Sequence, residues 1–434
     1  MSPELVGVLG IAALFILFAL GLPIAFSLGI VGFAGFSYLT SWHSGLSILG
    51  MYPFSTTASY TMSIIALFVL MGEFVLNAGL GEDIYTAIRQ WMGHLSGGLA
   101  MATVGGCTLF GCVTGSSVAT VATIGRVSLP EMKRYGYDDA ISTGSIAAGG
   151  GLGMLIPPSF VLVIYGVITT QSIGKLLIAG VLPGLLLAFT YMAIIYIRVK
   201  LNPAMGPRTP KVGLKEKLQG LKAIWGIIVL FILIVGGIYY GIFTPTEAAG
   251  IGAFGTLLFA MGRRRLNWKS FYHSLIQATG TTVMILLIMI GATLFGAFLT
   301  VSNLPALLVE TIEGLELHRY VILAFLLGGY MILGCFMEAL SMMLVTVPII
   351  FPLILKLGFD PIWFGVIILL GQEMAMITPP LGLNVFVMAG VAKDVPMYTI
   401  FKGIIPFLFG LLFCFIILII FPQIVLVLPN MMSR

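Results

Sequence analysis

Apolar runs of about 20 residues recur along the whole of this chain, and its first lysine or arginine is Arg89. A run of that length is what an α-helix needs to cross the hydrocarbon of a bilayer. Inside hydrocarbon each backbone N–H and C=O must be satisfied within the segment itself, which an uninterrupted apolar run achieves only as a helix. Just 9% of the residues are charged and the mean hydropathy is +1.12, whereas a soluble domain carries roughly 25% charged residues. No polar coat for a water-soluble globule can be made from this chain. The fold class is an all-α polytopic membrane protein.

The 54 glycines agree with that class, since glycine permits close packing and non-helical breaks in membrane helices. The net charge of +5 resides in short segments between spans, where it sets orientation and marks no nucleic-acid surface. Cys107, Cys112, Cys335 and Cys414 all lie in apolar segments, and the pair Cys107/Cys112 has no histidine or acid nearby to complete a metal site. They read as small buried hydrophobes. Residues 1–22 lack the basic start of a secretory signal and read as a retained span. No phosphate-binding G-x-x-x-x-G-K-[ST] run occurs. A transport cycle would therefore draw on an ion gradient or on another subunit.

Two segments are strongly basic, 198–222 and 263–269. Two apolar stretches separate them, about 223–243 and 246–262, so both segments fall on one side, the cytoplasmic one by the positive-inside rule. Counting outward, 276–301 crosses to a loop with Glu310, Glu313 and Glu316. Counting back, 176–197 and 138–166 cross, and 97–134 has basic residues at both ends. Its centre, Gly115-Ser116-Ser117-Val118-Ala119-Thr120, is a polar turn between short apolar arms. A turn at membrane depth survives only where it lines a protein cavity; a stretch the length of 97–134 is either two full spans or a hairpin that turns back mid-membrane, and its short arms favour the re-entrant hairpin. Spans at about 4–21, 23–41, 61–78, 361–389 and 397–421 complete a count of about ten full spans plus two hairpins.

The chain also repeats itself. Tyr135-Gly136-Tyr137-Asp138 matches Leu357-Gly358-Phe359-Asp360, Ile156-Pro157-Pro158 matches Thr378-Pro379-Pro380, Pro130 matches Pro352, and Gly149 matches Gly371. Each pair is 222 residues apart (358 − 136, 379 − 157). In each copy glycine can close one helix in the left-handed conformation. Aspartate can then cap the next, and Pro-Pro must interrupt it. Five crossings separate the copies, and an odd number inverts the second relative to the first. Inverted repeats with discontinuous helices are the pattern of secondary transporters.

The predicted organisation is scaffold spans over 1–96 and a first repeat over 97–197, with hairpin 97–134 and broken helix 138–166. The basic loop and connecting scaffold spans cover 198–301. A second repeat covers 302–421, with a hairpin at about 320–357 and a broken helix at 361–389, and a tail runs over 422–434. The breaks would supply hard oxygen ligands suited to Na⁺. One site joins Ser116 and Ser117 to the break at Gly153–Ser159. The other joins Gly334–Ser341 to the break at Ala375–Asn384, with oxygens from Thr378 and Asn384. The same atoms serve as helix caps, and the two roles are compatible. Arg126, about 12 Å deeper than Arg134 at helical rise, either snorkels to the interface or meets an acidic substrate. Glu338 either ligates a cation or carries a proton. Glu73 and Glu373 read as structural partners, and Thr244-Pro245-Thr246-Glu247 as a capping box.

Taken together, Gly115–Thr120, Pro130-Glu131-Met132, Gly149–Ser159, Thr244–Ala249 and Thr378–Asn384 resemble the large membrane subunit of tripartite ATP-independent periplasmic (TRAP) transporters, the DctM type. The resemblance implies Na⁺-driven import of an organic acid, a carboxylate or sialic-acid-like compound, across the bacterial inner membrane. It implies an elevator-type scaffold and transport domain, with no cofactor beyond Na⁺ as coupling ion. It also implies two partners, a small four-helix membrane subunit, here a separate polypeptide, and a soluble periplasmic binding protein. Carried over by position, the first cation site uses Ser116, Ser117, Gly153, Ile156 and Pro158. The second uses Gly334, Glu338, Ser341, Ala375, Thr378 and Leu381. Thr120, Arg126, Ser159 and Asn384 are candidates for substrate contact. Glu338 stands where the family pattern leads one to expect aspartate, and Ala375 where glycine is common.

Three other readings stay on the table. A stand-alone Na⁺/carboxylate symporter would need neither partner. A channel would need a continuous pore lined by polar rings, and this chain has few charges to build one. An intramembrane hydrolase using Ser116 or Ser117 would need a base. The four histidines, His43, His94, His273 and His318, fall in predicted loops or span ends, so no catalytic residues are assigned.

Overall fold

The computed structural model describes residues 1–334, 337–380 and 382–432, and among them every regular element is helical. The N-terminal part comprises α1 (Pro3–Ala19), α2 (Ile24–Leu39), α3 (Trp42–Thr57), α4 (Ser63–Asn77) and α5 (Leu80–Met92). Ser2 caps α1 by accepting from Leu5 N–H, with Pro3 at the first position. α3 fills a stretch to which the sequence assigned no span, and it exposes Trp42 and Phe54. α5 buries Leu80, Ile84 and Ala87 on one side. From it Asp83 reaches Arg263 (2.6 Å) and Arg265 (3.4 Å) of the basic segment.

The next stretch contains α6 (Gly98–Thr114), α7 (Ser117–Arg134), α8 (Asp139–Leu155), α9 (Phe160–Thr169), α10 (Ile173–Ala179) and α11 (Val181–Leu201). α8 and α9 form one apolar path bent by 43°. After them come α12 (Leu214–Tyr239), α13 (Pro245–Gly262) and the 34-residue α14 (Trp268–Val301). Residues 214–222, assigned to a loop, are instead the first turns of α12. Lys215, Lys217 and Lys222 project from a helix that continues out of its apolar part. The capping box is present, with Thr244 N–H donating to Glu247 Oε2 (2.8 Å) and Glu247 N–H donating to Thr244 Oγ1 (3.3 Å).

The last stretch contains α15 (Leu304–Glu313), α16 (Arg319–Leu333), α17 (Ala339–Lys356), α18 (Pro361–Ile377), α19 (Leu383–Val391), α20 (Met397–Ile420) and α21 (Gln423–Met431). Two expectations are corrected here. Glu310 and Glu313 lie on helix α15, not in a loop; the buried Leu304 and half-buried Leu308 give this segment a face to pack. The tail is likewise helical from Gln423 to Met431, and it buries Val425 against the bundle.

Among the described residues six helical stretches are long and apolar enough to cross a bilayer unaided, or seven with the bent pair, against the ten spans counted from sequence. The remainder divides into apolar helices of 15–17 residues, such as α1, α2 and α16. At helical rise these measure about 23–26 Å, short of the ~30 Å hydrocarbon core. Turns such as Leu20-Gly21-Leu22-Pro23 cut the runs that hydropathy joins. The chain is a multi-pass membrane protein all the same.

Backbone proximity holds the bundle together. A Cβ at Gly32 of α2 would lie 2.5 Å from the Leu294 carbonyl carbon of α14, so the two helices touch main chain to main chain. Dispersion between such closely apposed helices replaces the hydrophobic drive that lipid removes. Phe298 of α14 is fully buried against α1 and α2. Cys107, Cys112 and Cys414 are buried free thiols, as their apolar context predicts, and Cys335 lies outside the described residues.

Candidate functional site

Local sequence builds the first tip. α6 stops at Gly115, whose φ of 62° suits glycine. Ser116 is extended and caps α7, its hydroxyl accepting from Ala119 N–H (3.3 Å). Thr120 Oγ1 donates to the Ser116 carbonyl (2.7 Å). This tip abuts the first break. A Cβ on Gly115 would lie 2.8 Å from the Pro158 carbonyl oxygen, and one on Gly153 would lie 3.1 Å from the Ser116 carbonyl oxygen. Between them α8 ends at Leu155, Ile156 turns to extended backbone, and Ser159 caps α9 by accepting from Leu162 N–H (3.3 Å). Ser116, Ser117, Gly153, Ile156 and Pro158 thus share one neighbourhood, a place where α8 ends and α7 and α9 begin.

The second region is built on the same plan. Gly136 and Gly358 have φ of 73° and 74°. Asp138 accepts from Ala140 and Ile141 N–H, and Asp360 from Ile362 and Trp363 N–H. α16 ends at Leu333 with Gly334 as its C-cap, Glu338 holds the N-cap position of α17 without a side-chain cap bond, and α18 ends at Ile377 with Thr378 as its C-cap ahead of Pro379-Pro380. Gly334 faces Ala375 so closely that a Cβ on the glycine would sit 2.2 Å from the alanine Cβ. Ser341 is fully buried on α17. Thr378 Oγ1 donates to the Met374 carbonyl (2.6 Å). Leu381 lies outside the described residues.

The two tips face a common space. A cavity of about 230 Å³ is lined by Ser116, Ser117 and Val118 from the first tip, by Glu338, Ala339 and Leu340 from the second, and by Thr281, Met284 and Ile285 of α14. Glu338 is exposed to this cavity rather than enclosed beside Ala375. Three substrate candidates sit behind the wall. Thr120, Ser159 and Asn384 are each fully buried. Asn384 departs furthest from expectation, because its side chain reaches the first tip instead of the second: Ser117 Oγ donates to Asn384 Oδ1 (2.8 Å). Arg126 is exposed on α7 and makes no ion pair among the described residues, while its neighbours pair, Arg89 with Glu131 and Lys133 with Asp394.

Sequence reasoning missed Gln372, fully buried, whose Nε2 donates to the Ala339 carbonyl (3.0 Å) behind the second tip. A lone amide within an apolar helix was the available signal. Thr281 in the cavity wall gave none, because threonine is common in membrane helices. Glu373, read as a structural partner, is 1% exposed against Gly151, and its Oε1 accepts no hydrogen bond among the described residues. Glu73 is paired, accepting from Asn77 Nδ2 at 3.3 Å.

Residues 11–424 match the model of the family described as tripartite ATP-independent periplasmic transporter, DctM component. The chain belongs to the DctM family. One relative of this DctM-family chain is the C4-dicarboxylate TRAP transporter large permease protein of Pseudomonas aeruginosa, 39% identical, with 88% of this chain and 89% of the relative covered. Another is the sialic acid TRAP transporter large permease protein of Vibrio cholerae, 32% identical with 96% of each covered. In fold, the chain is similar to the Alcanivorax borkumensis YdaH transporter, with a TM-score of 0.64 and 15% identity over 89% of this chain and 88% of that one. Like its relatives it is the large permease subunit of a TRAP transporter.

Proposed function

We propose that this permease imports an organic acid by Na⁺ symport, and that Na⁺ sits between each hairpin tip and its break. The observation that carries the reading is the apposition of the Ser116–Ser117 tip to the Gly153–Pro158 break, where a helix end leaves carbonyls unpaired. Serine hydroxyls and carbonyls are the oxygen donors a hard monovalent cation takes. Gly334, Ala375 and Thr378 form the second such junction, with Glu338 and Ser341 on the adjoining tip. The 222-residue offset, with matched glycine turns and aspartate caps, supports an inverted repeat with two re-entrant hairpins. The cavity between the tips is the substrate's place; Arg126, exposed further along α7, does not line it. An elevator movement of the two repeats against a scaffold that includes α14 carries the site across the bacterial inner membrane. A small four-helix membrane subunit and a periplasmic binding protein complete the assembly. Its cargo is a carboxylate, as in the C4-dicarboxylate and sialic acid relatives.

Reconstitution into liposomes tests this. With both partners and an inward Na⁺ gradient, labelled dicarboxylate or sialic acid accumulates, and Ser116→Ala/Ser117→Ala abolishes the Na⁺ dependence. Accumulation by this chain with neither partner would instead establish a stand-alone symporter.

A further inference from the structure

We infer that Asn384 couples the two cation sites, so that occupancy of one sets the affinity of the other; this rests on the Na⁺ reading above. Asn384 lies in the first turn of α19, the helix that follows the second break in the chain. Both ends of its side chain nevertheless lie in the first repeat. Its Oδ1 accepts from Ser117 Oγ (2.8 Å), and its Nδ2 donates to the Ala147 carbonyl of α8 (3.2 Å). The residue is fully buried.

Those two bonds fix the amide. Rotated by half a turn, it would set its oxygen against the Ala147 carbonyl oxygen, two acceptors without a proton between them. Ser117 must therefore donate its only proton to Asn384. That leaves the hydroxyl lone pairs directed away from Asn384 and free to meet a cation. The orientation of a first-site ligand is thus set by a residue on the helix that leads out of the second break. A shift of the α18 end on loading or unloading the second cation is passed along the chain to α19, carries Asn384 with it and turns the Ser117 hydroxyl. In a low-dielectric interior the broken bond is costly enough to be felt as affinity.

The linkage runs through one arm. The position 222 residues before Asn384 is Leu162, a buried apolar residue that can make no reciprocal bond. The second tip is held from within its own repeat, by Gln372 on the Ala339 carbonyl. Removing Asn384 therefore disconnects the sites without unmaking the second tip.

Na⁺ binding to the purified chain in detergent, measured by titration calorimetry, reads the coupling without the partner subunits. Wild type binds with a Hill coefficient above one. Asn384→Ala lowers it to about one and raises the half-saturating Na⁺ by roughly five- to tenfold, within the usual range of a coupling between sites. Asn384→Leu removes the same bond while keeping the bulk of the side chain, and gives the same signature should Asn384→Ala fold poorly. Wild-type coefficient and midpoint retained in either variant overturns the coupling and leaves Na⁺ symport standing. No Na⁺ binding by wild type overturns both.

Discussion

Replacing Gly334 by alanine is the sharpest perturbation this fold offers. The new Cβ would lie 2.2 Å from the Ala375 Cβ, against a carbon–carbon contact of about 3.5–4.0 Å. One segment must retreat by about 1.3 Å or more. Neither has slack: Ala375 is fully buried in α18, and Gly334 N–H is tied to the Tyr330 carbonyl at 2.9 Å. Overpacking of this kind costs about 1–3 kcal/mol. If the distortion is confined to the cation-bound state, that energy weakens Na⁺ binding by roughly five- to 150-fold, at 1.4 kcal/mol per tenfold. The rescue is specific. Ala375→Gly removes the atom that is struck, at a helix-propensity cost of about 1 kcal/mol. Gly334→Ala should therefore lower the unfolding midpoint and raise the Na⁺ needed for half-maximal uptake. The double variant should recover most of both, and Ala375→Gly alone should change Na⁺ affinity little. Thermal unfolding in detergent with Na⁺-dependent uptake in proteoliposomes measures the cycle. Additive losses in the double variant would refute the contact and with it the pairing of second tip and second break.

Two further outcomes follow from particular contacts. Gly115→Ala forces a side chain into a left-handed backbone (φ 62°) and places its Cβ 2.8 Å from the Pro158 carbonyl oxygen. The conformational part alone costs about 1–2 kcal/mol, and uptake should fall far more than that of Gly136→Ala, whose Cβ meets nothing within 4 Å. The Asp394 carboxyl, in the segment joining α19 and α20, is held below the usual carboxylate range by the Lys133 ammonium that hydrogen-bonds to it. A depressed folded value means the stabilisation is present above the unfolded pKa of about 3.9 and lost as pH falls through the folded one. Lys133→Met should thus lower the unfolding midpoint at neutral pH, and the two curves should converge as pH falls below the unfolded carboxylate value of about 3.9; an undiminished gap there removes the ion pair as the cause.

Much of this architecture can be read directly from the residues. The breaks at Gly115 and at both Pro-Pro pairs, and the caps at Asp138, Asp360 and Thr244, are local events. They depend on which residue lacks a Cβ, lacks an N–H or offers a short side-chain acceptor. Helix ends accordingly fall within a few residues of their predicted places, from Gly98–Arg134 to Pro361–Val391. Helicity in the acidic 304–313 segment and in the tail was harder to see, since each depends on an apolar face that has value only when a neighbour is there to cover it.

By itself, then, the sequence determined the membrane class, the helical breaks, the 222-residue repeat and the family pattern, because hydropathy, backbone chemistry and spacing act along the chain. Only the tertiary structure decided that Glu338 opens on the same cavity as Ser116. It also decided that Gly334 meets Ala375 and that Asn384 reaches back to Ser117 across 267 residues. These contacts are set by how close two helices can come, through pairs such as Gly32 with Leu294. No periodicity within either helix encodes that distance.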